Sequence, residues 1–362
     1  MTSLKELMTP QAELLHKAKS KAGSKATWST IAEALGINAR NIKSYLAAKE
    51  SSSYRSMPEE LIEKIQELYD LNAGFAGEAQ LYLPKGKVIV ISSQKGGIGK
   101  TTLSKEIACA LAAEGYRVCV CDGDPQGDLT SSFFPEGEVY PAEIEEDVDG
   151  PEFKPGQANM WNLFTPDSVI RPYPIGKNLS LIGAGLDLAE IQSGTVADAV
   201  EIFHSRLQEL RDQHDVVIID SLPSFGNIQA ALQRSADWLV ISAELARFAR
   251  KGVSLQMRTA NNSVNHYGSN IRLLGIVENK VKLVNRKDNK LKNIQQAYHD
   301  AIKEEFGDLI VEPQILLNDK FSEAQALGQS IFQYAPTSEP ALQIKELAFE
   351  LMQRIQHIEE NE

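Results

Sequence analysis

The sequence predicts an α/β protein: a mostly parallel, doubly wound sheet flanked by helices, preceded by an all-helical N-terminal domain. Three observations predict it. Short apolar, β-branched runs recur along the chain at Val88–Ile91, Val118–Cys121, Val216–Ile219, Trp238–Ser242 and Ile271–Val277, separated by stretches of helical period. The first of these runs enters a glycine-rich turn and then a helical pattern. Residues 27–46 have a different character, with two short amphipathic helices around a glycine. The domain boundary falls near residue 84, where Pro84-Lys85-Gly86 precedes the first strand. This gives a helical domain over 1–84 and an α/β domain over 85–362.

Composition bounds the function. The 362 residues leave room for two domains, and 43% hydrophobic residues support a packed core. The net charge of −12 excludes a protein coated for nucleic acid, so any such contact must be local. No apolar run approaches the ~20 residues of a membrane span, and the N-terminus has no apolar leader core. Cys109, Cys119 and Cys121 lack metal-like spacing, and an odd number suits a reducing cytosol. Cys119 and Cys121, two apart on a strand, read as small core residues.

In the helical domain, residues 4–20 can form an amphipathic helix restarted at Pro10. Thr27 to Leu46 fits a helix-turn-helix. Ile31 and Leu35 face inward on the first helix, Ala32 is small at the crossing, and Gly36 ends the helix. Ile37, Ile42, Tyr45 and Leu46 form the core face of the second. Its other face carries Asn38, Arg40, Asn41, Lys43 and Ser44, suited to phosphates and base edges. Between residues 17 and 55 eight Lys/Arg oppose two acids, a local charge of +6. The alternative use of such a bundle is docking. Met57 to Asp70 reads as a further helix.

The α/β domain begins with the chemistry. Val88–Ile91 is a buried strand, Gln94 to Gly99 a glycine-rich turn, and Lys100-Thr101-Thr102 the start of a helix. Glycines let backbone N–H groups curl around anionic oxygens, and the helix N-terminus adds partial positive charge. Lys95, Gly96, Gly97, Ile98, Gly99, Lys100, Thr101 and Thr102 are therefore the candidate nucleotide-binding loop. Lys100 would reach the β/γ-phosphates of ATP or ADP and the Thr101 hydroxyl would hold Mg²⁺.

The loop departs from the standard pattern. Gln94 stands where a glycine is usual, and Lys95 is an extra lysine. KGGIGKT resembles the deviant Walker A loop of the ParA/MinD group of ATPases. In that group the extra lysine reaches across a homodimer to the partner's nucleotide, so the resemblance gives Lys95 a catalytic role with Lys100. Asp122-Gly123-Asp124-Pro125-Gln126-Gly127-Asp128 resembles the DxDPQGN motif of the ParA group, with Gly123 for a bulky residue and Asp128 for asparagine. The resemblance implies that Asp124 positions the attacking water and Asp122 supports the magnesium shell. Asp215 to Asp220 has the Walker B form, four apolar residues delivering Asp220 to the metal. Ser221-Leu222-Pro223 resembles the family's D-x-P-P switch, with Gly226 to let it move. Asn279, ending the fifth apolar strand, sits where related ATPases contact adenine. Ile315 to Ala324, with Gly328, resembles the ParA signature IPRNxRLSEAxxxG, with Leu316-Leu317 replacing proline-arginine. Lys320 matches a position that helps ParA proteins bind DNA without sequence preference.

Two segments lie outside these motifs. Residues 136–152 hold eight acids and no lysine or arginine, which reads as a mobile surface insertion, with a basic regulatory partner as the alternative. The C-terminal helix, about 338–358, carries a stripe at Ile344, Leu347, Leu351, Ile355 and Ile358. Its acidic end points to packing on the sheet rather than to a membrane.

The resemblance covers residues 86–335 and, with the fused helix-turn-helix, looks like the larger plasmid-type ParA proteins. It implies an ATP-dependent DNA partition ATPase, cytoplasmic and nucleoid-associated. Such a protein is an ATP-closed homodimer, binds DNA broadly, is stimulated by a ParB-type centromere-binding partner, and represses its own operon through the N-terminal domain. The alternatives are a nucleotide-sensing transcriptional regulator with little turnover and a MinD-like positioning ATPase. Retention of Asp124 with Lys95 disfavours the first, and the acidic tail the second.

Overall fold

A computed structural model describes residues 15, 19, 27–46, 57–58, 61, 64–65, 85–93, 95–135, 155–223, 226–285 and 290–361. Most of the helices expected over 4–20 and 57–70, the residues about the boundary at 84, Gln94, the acidic 136–152 stretch, and Ser224 with Phe225 lie outside the described residues. The chain divides into two compact units, Met1–Leu81 with Leu283–Lys290, and Tyr82–Lys282 with Leu291–Glu362.

In the smaller unit two helices follow each other closely, α1 (Trp28–Leu35) and α2 (Ala39–Leu46). Thr27 caps α1 in a reciprocal box with Thr30, which satisfies two of the free N–H groups at the helix start. Gly36 ends α1 in the left-handed region at φ 71°, returning its N–H to the Ala32 and Glu33 carbonyls. Lys64 donates to the Leu35 carbonyl at the end of α1 at 2.9 Å. Ile31, Ala32, Leu35, Ile42 and Tyr45 pack with Leu15, Met57, Leu61 and Ile65 into one apolar core.

The larger unit is built on an eight-stranded sheet. Its strands are β1 (Lys87–Ser92), β2 (Val118–Gly123), β3 (Tyr173–Gly176), β4 (Leu179–Ile182), β5 (Val216–Ser221), β6 (Trp238–Glu244), β7 (Arg272–Asn279) and, near the C-terminus, β10 (Ile310–Val311). Between the last two, β8 (Leu283–Asn285) and β9 (Lys290–Leu291) form a separate two-stranded ribbon. The sheet order is β10-β7-β6-β1-β5-β2-β4-β3, parallel except for the β3–β4 edge pair. β1, β2 and β5 are buried along almost their whole length, which is why they read as unbroken apolar runs rather than alternating ones. The strands missing from the sequence reading are β3, β4, β8, β9 and β10, of 4, 4, 3, 2 and 2 residues, too short to show a period.

Helices cover both faces. α3 (Lys100–Ala113) follows β1, and α4 (Asp128–Ser132) follows β2. α5 (Val196–Gln213), α6 (Asn227–Ser235), α7 (Ala249–Tyr267), α8 (Asn293–Phe306), α9 (Lys320–Ala326), α10 (Ile331–Tyr334) and α11 (Glu339–Glu360) complete the unit. The expected C-terminal stripe is the packing face of α11. Ile344, Leu347, Leu351 and Ile355 are buried in the main core with α3 and the sheet. Among the described residues no helix is long and apolar enough to cross a membrane.

α3 carries three buried charges, of which Lys100 lies at the sheet edge and the other two are Lys105 and Glu106. Lys105, held below its usual range by burial, donates to the Ser132 carbonyl at the end of α4 and lies 4.9 Å from the Phe133 ring centroid. Glu106 is 2% exposed and accepts from the Ile331 N–H at 2.9 Å, tying α3 to the start of α10. Burial raises its carboxyl to about 7.

Candidate functional site

The site forms where the C-terminal ends of β1, β5 and β2 lie side by side, as open α/β sheets arrange their ligand crevices. The register places Ile91 beside Asp220 and Asp220 beside Asp122. β1 then enters the loop from Lys95 to Gly99. Gly97 (φ 76°) and Gly99 (φ 82°) lie in the left-handed region, and Gly99 serves as N-cap of α3. A side chain built at Gly96 or Gly97 would meet nothing within 4 Å, so space is open above the loop. Ile98 is buried beneath it, while Lys95, Gly96 and Gly97 are exposed.

Asp220 organises the base of the site. It is fully buried and receives the Lys100 ammonium on Oδ1 at 3.0 Å, the Ser104 hydroxyl on Oδ1 at 3.0 Å, and the Thr101 hydroxyl on Oδ2 at 2.7 Å. Burial raises its carboxyl, and Lys100 leads the opposing groups. Ser104 was not singled out in the sequence, although it lies one turn after Lys100 on the same helix face. The neighbouring Ser221 donates to Ser92 at 3.0 Å, and Ser92 donates to Gln256 at 3.1 Å, so a buried polar chain backs the site.

Asp122 is also fully buried. It accepts from the Thr130 N–H at 2.8 Å and hydroxyl at 2.7 Å, and from the Asp124 N–H at 3.1 Å. Burial first, and Asp220 second, raise its carboxyl to about 7. Thr130 was missed because nothing in its spacing, eight residues after Asp122, marks it. Gly123 has a steric reason: a Cβ there would lie 2.7 Å from the Asp220 carbonyl oxygen and 2.9 Å from Leu232 Cδ1. Asp124 lies past the strand end, half-buried, with Oδ1 accepting from the Gln126 N–H at 3.1 Å.

Other candidates take different positions. Lys95 is paired with Glu244, at the end of β6 of the same chain, at 3.0 Å. Asn279 is 5% exposed, and its amide donates to the Ile98 carbonyl at 2.9 Å and the Gly99 carbonyl at 3.3 Å. It therefore touches the glycine loop itself. Thr102 is half-buried one residue into α3 beyond Thr101. Lys320 is exposed at the start of α9, 5.8 Å from the Tyr334 ring centroid. Leu316 is 7% exposed and Leu317 43%, where the resemblance places proline-arginine. In the smaller unit, Asn38 is exposed just before α2 and Asn41 half-buried on it. Arg40 and Lys43 lie on α2, with side chains outside the described residues.

The donor set suits a hard divalent cation beside a polyphosphate. Thr101 and Asp220 offer oxygens side by side, and Asp122 is a neighbouring carboxyl whose charge a cation would compensate. Among the described residues no three His, Cys, Asp or Glu side chains converge into a metal cage. A cation here would therefore lean on ligand oxygens and water, as magnesium does.

A family model described as an AAA domain (AAA_31) matches residues 86–274. The chromosome-partitioning ATPase Soj of Thermus thermophilus is 30% identical over 282 residues, covering 75% of this chain and 98% of that protein. The sporulation initiation inhibitor protein Soj of Bacillus subtilis is 28% identical over 266 residues, covering 74% and 98%. Among solved structures, apo McdA of Cyanothece superposes with a TM-score of 0.61 at 24% identity, covering 74% of this chain and 99% of that one.

Proposed function

This chain belongs to the AAA domain family of ParA-type partition ATPases, and from that premise we propose that it is an ATP-dependent DNA partition protein. The observation that carries the reading is the meeting of Lys100, Thr101 and Asp220 under an open glycine loop, with Asp122 and Asp124 on the adjoining strand end.

The chemistry assigned to the chain follows from those positions. Backbone N–H groups of the loop cradle the phosphates of ATP or ADP, and Lys100 neutralises their charge. Thr101 and Asp220, with Asp122 behind, hold Mg²⁺, which supplies further neutralisation of phosphate oxygens. Asp124, beyond the buried carboxyls and accessible to water, orients the attacking water. Lys95 leaves Glu244 and crosses to the nucleotide of a second copy, so ATP closes a homodimer. Residues 85–362 form this ATPase domain. Residues 1–84 form the dimerisation and operator-reading domain, with Asn38, Arg40, Asn41 and Lys43 toward DNA. In the ATP state the dimer binds nucleoid DNA without sequence preference, Lys320 contributing a phosphate contact. A ParB-type centromere-binding protein stimulates hydrolysis and releases the dimer. The protein works in the cytoplasm, on the nucleoid.

The test is the steady-state ATPase rate of the full chain alone, with DNA, and with DNA plus the protein encoded immediately downstream. A low basal rate that rises at least several-fold in the last mixture is expected. No hydrolysis in any mixture would sink the reading. Operator reading has its own check: Arg40→Ala with Lys43→Ala should weaken the footprint at the chain's own promoter and leave the ATPase rate alone, and an unchanged footprint excludes α2 as the reader.

A further inference from the structure

Lys280, the residue after β7, is one of three non-glycine residues with positive φ among those described, at 55°. Lysine rarely adopts that conformation, because its Cβ crowds the backbone. Such outliers persist only where the surroundings over-determine them. Here they do. On either side of Lys280 the chain is bound to one segment: the Ile315 N–H donates to the Glu278 carbonyl at 2.9 Å, the Val281 N–H to the Ile315 carbonyl at 3.0 Å, and the Leu317 N–H to the Val281 carbonyl at 2.9 Å. The Lys280 N–H itself donates to its neighbour's Asn279 Oδ1 at 2.8 Å.

The outlier sends the Lys280 side chain under the glycine loop. Its ammonium donates to the Gly97 carbonyl at 2.6 Å. Asn279 serves the next two carbonyls, those of Ile98 and Gly99. Two consecutive residues thus hold three consecutive loop carbonyls. The space that a side chain at Gly99 would need is filled by them, with Asn279 Nδ2 at 2.6 Å and Lys280 Cε at 3.3 Å from the built Cβ.

The consequence for an anion above the loop is direct. For the N–H groups to face phosphate, the carbonyls must face away and find donors there. A cationic donor on the Gly97 carbonyl also polarises the peptide group whose N–H belongs to Ile98, which strengthens that N–H as a donor. We propose that Lys280 is a positioning residue for nucleotide binding: its ammonium, held in place by a strained backbone, keeps the glycine loop preorganised for phosphate. That role presupposes the triphosphate site proposed above. It acts on ATP and ADP alike and on ground-state binding, with no part in the hydrolytic step.

Three full-length variants test it, with titration of a fluorescent ADP analogue, KM and kcat for ATP, and melting temperature. Lys280→Met keeps the stem without the charge. Lys280→Gly removes the charge and relieves the backbone. Lys280→Arg keeps a donor cation. Loss of one charge-assisted hydrogen bond is expected to raise Kd for the analogue and KM for ATP about 5–30-fold in the Met and Gly variants, with kcat within about twofold. Arg should stay within about threefold of the parent. The Gly variant should melt no lower than the parent while binding more weakly, which a purely structural role would not produce. Unchanged Kd in both Met and Gly, with a parent that binds the analogue, overturns the role of Lys280 alone. A parent that binds no nucleotide overturns the site itself.

Discussion

Two ion pairs in this protein have the same length and different meanings. Lys100–Asp220 and Lys95–Glu244 both measure 3.0 Å. The first has side chains 10% and 1% exposed, the second 69% and 28%. The inner pair is surrounded by hydroxyl donors from Thr101 and Ser104 and is almost wholly withdrawn from water. Removing one partner there strands a buried charge. The outer pair exchanges its contact for water at little cost and is screened by salt. The inner lysine is thus part of a rigid, preassembled floor. The outer lysine is held loosely and can be redirected, as the dimer proposal requires.

The contrast can be broken most forcefully at the floor. Lys100→Ala is expected to weaken ATP binding at least about 100-fold and to cost about 3 kcal/mol of stability through the stranded Asp220. Isothermal titration and chemical denaturation read the two effects, and near-parental ATP affinity would remove Lys100 from the phosphates. At the rim of the floor, Asp124→Ala should retain ATP binding while turnover falls about 10²–10³-fold. Full turnover in that variant would show that another group orients the water.

Those two sites differ in how legible they were in the sequence. The placement of the loop, Asp122 and Asp220 at strand ends, with Asp124 just beyond, was readable because each follows a short apolar run. Their supports were not. Thr130 meets Asp122 across the eight residues of the turn after β2, a spacing that marks nothing, and Glu244 and Lys280 meet their partners across 149 and 183 residues. No local period records such a meeting. The five long strands were readable from their apolar runs. β3, β4 and β10 were not, being held by neighbouring strands and not by a pattern of their own. Asn279 shows a third case. Its position at a strand end was readable, but its engagement with the Ile98 and Gly99 carbonyls required the fold.

A smaller effect sharpens the lesson about burial. Glu106 has its carboxyl raised from 4.5 to about 7, chiefly by burial and against the pull of Lys105. Because the folded form binds the proton more tightly than the unfolded one, this group favours folding most below pH 4.5, and the advantage is lost as pH rises to about 7. Glu106→Gln should therefore flatten the stability–pH curve across that window by about 1–3 kcal/mol. Denaturant titrations at pH 5 and 7.5 would reveal it, and an unchanged slope would mean that Glu106 ionises without penalty. The smallest effect belongs to the outer pair. Glu244→Gln should shift stability by less than about 0.5 kcal/mol. If Glu244 holds Lys95 back, turnover should not fall. A drop of tenfold or more would make Glu244 part of the reaction.

The hydrogen bond from the Ile331 N–H to Glu106 joins positions 225 residues apart in the chain. A protein shortened from its C-terminus to before residue 331 would keep every nucleotide-loop residue yet leave a buried carboxylate without its main-chain donor. A chain ending before residue 331 is therefore expected to lose stability at Glu106 although it keeps every residue of the nucleotide loop.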